Sequence, residues 1–254
     1  MKRTRPLPFL LATLAFTAAS FAACGNTPGR IISVTFAANG DGGSTFTTAS
    51  GWAVTVSDAH LVVGGVSALA PRPTALLRVF SMPVALAHGG ADEFATLGIR
   101  AEWLDQVSLD LLATTPTMLG SGRGIAGAIG AVEVDIDPPP AAIAALTHGH
   151  QAWVAGTATR AASSIAFEGG LDIADLTIAR RVQGIPASGS VDDGSVLTVT
   201  AHLRSWLDQM QFDRLPMPTS GTTREIVRGT QPYNAFMLGA RTQTAFSVAN
   251  AVAR

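Results

Sequence analysis

The chain has 254 residues, 47% of them hydrophobic and 14% charged, with 17 basic and 18 acidic side chains and one cysteine. That length and apolar content suffice for a hydrophobic core without covalent staples, and the single Cys24 excludes a disulfide within the chain. The near-neutral balance, with no basic run after Arg5, argues against a nucleic-acid partner, which would be met by a basic face.

The opening "MKRTRPLPFLLATLAFTAASFAAC" begins with Lys2, Arg3 and Arg5, passes through an apolar run from Phe9 to Phe16 and closes on small residues. This pattern predicts a secretory signal peptide over residues 1–23, its apolar part too short to span a bilayer. The terminal "FAAC" resembles a bacterial lipobox, with Phe21 where Leu is usual. That resemblance implies cleavage before Cys24 and a diacylglyceryl group with its palmitate-type chains on the Cys24 thiol. Gly25, in place of Asp, points by the same resemblance to the outer membrane. Once the three basic residues of the signal are removed, 14 basic side chains face 18 acidic ones. Residues 24–30 then read as a short lipidated tether. No second apolar stretch of about twenty residues follows, so the lipid is the expected hold on the membrane.

From residue 31 to residue 254 the pattern predicts a single all-β domain. "RIISVTFAA" alternates Ile32, Val34 and Phe36 against Ser33 and Thr35, and "NGDGG" turns the chain. In "SGWAVTVSDAHLVVGGVSAL" the apolar parity changes from Trp52, Val54 and Val56 to Leu61 and Val63, so a β-bulge is expected near Asp58 and Ala59. Residues 70–117 form a less regular excursion that includes "VSLDLLA" as one strand, with Val107, Leu109 and Leu111 inward. "GSGRG" reads as a glycine-rich loop: it lacks both the spacing of a nucleophile elbow and the following helix of a phosphate loop. "GAIGAVEVDI", "HGHQAWVAGTATR", "SSIAFEGGLDIADL" and "GSVLTVTAHL" supply further strands. Trp206, Leu207 and Met210 then stand at helical spacing, a short helix near the C-terminal third. The final "NAFMLGARTQTAFSVANAVAR" fits a strand pair or a helix. Such an order predicts an antiparallel β-sandwich, with a partly open β-barrel as the alternative.

Of five histidines, His148 and His150 stand one residue apart in "THGH", and His88 lies in "HGGADEF" with Asp92 and Glu93. An H-x-H pair in an extended strand projects both rings from one face, as a copper or zinc site requires, and a glycine-hinged loop can bring the remaining donors. His60 and His202 read as structural. Glu133, Asp135 and Asp137 share one strand parity and read as a solvated face, not a calcium site.

In order along the chain, "FTTASGWAVTVSDAHLVVGGVSAL", "AHGGADEF", "VSLDLLA" and "GSVLTVTAHLRSWLDQMQFDRL" resemble a group of uncharacterised lipoproteins of myxobacterial type. More distantly the pattern is similar to the MbnP-like family of copper-associated periplasmic β-sandwich proteins. The resemblance implies a non-enzymatic periplasmic protein that handles metal; the single His88 in the loop and the lone Tyr233 depart from the fuller family pattern. The expectation is therefore an outer-membrane lipoprotein facing the periplasm or cell surface. It would bind copper or zinc through His88, Asp92, Glu93, His148 and His150, or serve as a structural or protein-interaction lipoprotein without a site. A secreted hydrolase stands third.

Overall fold

The computed structural model describes residues 30–71, 98–173 and 177–252. Its strands are β1 (Ile31–Gly40), β2 (Thr45–Thr47), β3 (Ala53–Leu69), β4 (Ile99–Trp103), β5 (Val107–Asp110), β6 (Thr117–Ile125), β7 (Gly127–Ala128) and β8 (Ala131–Ile136) in the first half. The second half adds β9 (Ala152–Arg160), β10 (Ser163–Leu171), α1 (Thr177–Arg180), β11 (Arg181–Pro186), β12 (Ser190–Val191), β13 (Ser195–Ala201) and α2 (Leu203–Leu207). β14 (Arg224–Glu225), α3 (Gln231–Ala240) and β15 (Phe246–Val252) complete it.

The 17-residue β3 is the spine. Its first half pairs with β9, its second half with β4 and β8, and the large sheet runs β14-β10-β9-β3-β4-β6-β1-β13-β15. The two halves wrap one core that holds Phe36, Trp52, Leu61, Val134, Phe167 and Leu197, the all-β sandwich-like arrangement the alternation predicts. The far ends approach through side chains: Gln243 Nε2 donates to the Gln183 carbonyl at 3.0 Å and Asn250 Nδ2 to the Ser190 carbonyl at 2.8 Å. β11 and β15 form no ladder with each other, so the sheet curls without closing into a barrel.

The expected bulge is present as a register shift between Val56 and Asp58 in the β3–β9 ladder. Before it Val54 and Val56 point inward; after it Ala59 and Leu61 do. The pairing is not antiparallel throughout, because β1 runs parallel to β13 and β10 parallel to β14. Alternation sets which face a residue joins and leaves a neighbour's direction open. The short helix appears as α2, which buries Trp206 and Leu207, and the undecided C-terminal segment is a helix followed by a strand, α3 then β15.

Two further expectations are corrected. "GSGRG" is the middle of β6, not a loop: a Cβ on Gly122 would overlap the Glu102 carbonyl and the Phe36 ring, and one on Gly124 the Arg100 carbonyl. The glycines allow close approach of β4. The carboxylates of Glu133, Asp135 and Asp137 are not a solvated face. Arg181 donates to both Asp135 oxygens, at 2.8 and 3.0 Å, and lies 3.6 Å from Glu133, while Arg180 pairs with Asp137 at 3.2 Å. The hydrogen-bonded Asp135 carboxylate holds the Arg181 guanidinium above its ordinary range, against the opposing pull of burial.

Replacing Gly122 with Ala is expected to wedge β6 from β4 and lower stability by about 2 kcal/mol, the cost of overpacking a filled site. Urea unfolding at equilibrium measures it.

Candidate functional site: an indole flanked by histidines

The bulge in β3 decides what faces outward. Asp58 and His60 follow it on the side opposite Ala59 and Leu61, and His60 is the register partner of Trp153 on β9. On the far edge of β9, Trp153 pairs with Gly170 of β10. Gly170 leaves a vacant place beside the indole, and the His150 ring fills it: a Cβ on Gly170 would overlap that ring. On the other side of β3, Asp110 of β5 is the partner of His60. One row across four strands thus reads Asp110, His60, Trp153 and Gly170 with His150 over it.

Above this row lies the turn that enters β9. A 3-10 segment, Ala144–Thr147, ends on His148 in the left-handed region at φ 52°, followed by Gly149 at φ 85°. A non-glycine residue held there costs about 1 kcal/mol or more. The conformation places the His148 ring flat on the indole, with centroids 4.0 Å apart and planes at 24°. His150 lies nearly parallel to the same indole at 5.8 Å and 13°. The two rings cover Trp153, which on this outward face keeps only 9% of its surface exposed. They are therefore carried by a turn before the strand, not by the extended strand the H-x-H spacing suggests.

Each flank is held by hydrogen bonds. Gln151 is buried; its amide oxygen accepts from the Ile173 N–H, and its own N–H donates to the Leu171 carbonyl at 3.1 Å. His150 Nδ1 stands 2.9 Å from Asp172 Oδ2. A carboxylate only accepts, so Nδ1 carries the proton and Nε2 of the neutral ring keeps a free lone pair. Asp172 is positioned by Tyr233 of α3, whose hydroxyl donates to the Asp172 carbonyl at 2.8 Å and accepts its N–H at 3.3 Å. His60 Nε2 lies 3.1 Å from Asp58, and its Nδ1 is buried without a hydrogen-bond partner among the described residues.

Of the residues expected to form a metal site, His148 and His150 are brought together here. His88, Asp92, Glu93 and the lipidation residue Cys24 lie outside the described residues. Among the described residues no group of three or more His, Cys, Asp or Glu side chains is arranged to hold a metal ion. The sequence reading missed Trp153, Asp172 and Tyr233. The first has a visible signal, a Trp three residues after His150 on the parity opposite Ala152 and Val154; the other two are far away in sequence and carry none.

No protein-family model matches the chain, and no curated protein matches it, so the resemblance to myxobacterial-type lipoproteins gains no support. Among solved structures, MbnP from Methylosinus trichosporium aligns over 88% of this chain and 99% of its own, at 12% identity and a TM-score of 0.37. At that score no residue of one chain is placed on the other.

His148→Gly keeps the left-handed backbone and deletes the ring, so relief of strain offsets loss of the stack and stability is expected to stay within about 1 kcal/mol. Trp153→Ala opens a hole between His60 and Gly170 and is expected to cost about 3 kcal/mol. Thermal and urea unfolding of both variants check the contrast.

Proposed function

We propose that the chain is an exported binding protein, anchored at the outer membrane through lipid on Cys24, which holds one copper or zinc ion at the His148–His150 turn. The observation that carries this is the Asp172–His150 pair. The carboxylate of Asp172, a residue whose main chain is held by the Tyr233 hydroxyl, bonds one ring nitrogen and presents the other as a ligand of fixed direction, the outer-shell arrangement that metal-bound imidazoles use. His148 offers a second imidazole from the same strained turn, and strain of that kind collects at functional sites.

Two imidazoles fall short of the four-coordinate set zinc takes. The remaining donors of the proposal are His88, Asp92 and Glu93. His88 precedes Gly98 by ten residues, a span of up to about 35 Å when extended, and Leu69 at the foot of that segment is nine strand residues, at most about 30 Å, from the His60 row. By chain length alone, residues 88–93 can come within reach of the turn. The anchoring half of the proposal rests on the signal-like first 23 residues and on the position of the single cysteine; among the described residues no helix is long and apolar enough to cross a membrane.

Equilibrium dialysis of the exported chain against copper or zinc is expected to load one equivalent and to raise the unfolding temperature. His150→Ala and His88→Ala each abolish loading, and Asp172→Asn weakens it by about ten- to a hundredfold. A folded chain that takes up neither metal overturns the metal reading. For the anchor, Cys24→Ser is expected to move the chain from the outer-membrane fraction to the soluble periplasm and to end incorporation of labelled palmitate.

A further inference from the structure

The outer side of β1, β13 and β15 carries a second constellation that shares no residue with the Trp153 face. Asn39, Thr200 and Ser247 are register partners across these three strands, so their side chains share one face. Thr200 Oγ1 donates to Asn39 Oδ1 at 3.0 Å. Two residues further along their strands, Asp41 and His202 keep the same parity where both strands end. His202 Nδ1 lies 3.2 Å from Asp41 Oδ2, and its Nε2 lies 2.9 Å from Ser247 Oγ.

The donors settle the direction of this chain of bonds. Asp41 accepts, so Nδ1 holds the proton; the neutral ring then has only a lone pair at Nε2, and Ser247 must donate its hydroxyl proton to it. Acid, base and hydroxyl stand in the order that activates a serine nucleophile. Such a triad is recognised by geometry and role, not by sequence position. That "GSGRG" lacks the spacing of a nucleophile elbow does not bear on it. Ser247 is exposed at the sheet edge and His202 and Asp41 are half-buried, the base 33% exposed and the acid 25%. Ser205 and Thr244, three residues after His202 and three before Ser247, are joined by a hydrogen bond of 3.0 Å from the Ser205 hydroxyl to the Thr244 carbonyl. Both line an open groove of about 390 Å³, together with Arg204, Leu238 and Gly239; the groove lies beside the triad, whose own residues are not part of its lining.

We propose that Ser247, His202 and Asp41 form a serine site that hydrolyses a small carboxylic ester. Ser247 Oγ bonds to the ester carbonyl carbon while its proton passes to His202 Nε2. The C–O bond to the alcohol breaks, and the alcohol leaves with that proton. Water then attacks the acyl-serine, gives a proton to His202, and the carboxylic acid departs as Ser247 recovers its hydrogen. Asp41 is a positioning residue that holds the imidazole tautomer.

The test uses the full chain with a fluorophosphonate probe and with p-nitrophenyl butyrate. One equivalent of label is expected on Ser247 by peptide mapping, with ester turnover, and both are lost in Ser247→Ala. His202→Ala and Asp41→Asn are expected to slow labelling by at least about a hundredfold. Added imidazole restores part of the labelling lost in His202→Ala, a rescue that a merely structural histidine does not allow. Ser163→Ala, an exposed serine at the β9–β10 hairpin, keeps labelling at the original rate. Ser247 that takes no label, that reacts equally fast in His202→Ala, or that takes label while the chain hydrolyses no ester overturns the site. Addition of a chelator leaves the reaction unchanged, which separates this outcome from the fate of the metal reading.

Discussion

Everything on the Trp153 face depends on one extra residue in β3. Without the shift between Val56 and Asp58, the parity that buries Val54 and Val56 would continue through Asp58 and His60 and drive an acid and an imidazole into the core. The alternation would then expose Ala59 and Leu61, both fully buried. A one-residue slip exchanges the two faces of a strand, so the apolar pattern itself demands the bulge. Its consequence is a row of polar and aromatic side chains that crosses the outside of the sheet at His60.

That row needs a cover, and the turn before β9 supplies it. An indole on an outward face would be an exposed apolar patch; here two imidazoles lie against it, one of them from a strained left-handed residue. The same geometry that shields the tryptophan orients the rings. Gly170 makes room for His150, Asp172 fixes which nitrogen is free, and Tyr233 from α3 holds Asp172 in place. Cover of the indole and orientation of the imidazoles are thus served by the same contacts, and α3 joins them through the Tyr233 hydroxyl.

The outer edge of the sheet shows the same economy with different chemistry. β1 and β13 run parallel, so their C-terminal ends arrive together and set Asp41 beside His202. β15 runs back along β13 and brings Ser247 to the other side of the ring. A wholly antiparallel arrangement of β1 and β13 would place the ends of these two strands at opposite edges.

Much of the fold was legible in the chain itself. The alternation of Ile32, Val34 and Phe36, the parity change near Asp58, the strand at Val107 and the helical spacing of Trp206 and Met210 are local signals, because burial of one face imposes a period on neighbouring residues. The pairing of "THGH" as neighbours was legible too. The order of strands, the two parallel pairings, the glycines of β6 as a close-packed strand and the arginine cover over Asp135 were not, since each depends on which segment lies alongside. Likewise, His150 was visible in the sequence, but its partner Asp172, the clamp Tyr233 and the contact between Asp41, His202 and Ser247 were decided only by the tertiary structure. Apolar periodicity determines which way a side chain points; hydrogen-bond partners separated by 22, 61 or 161 residues are determined by how the strands assemble.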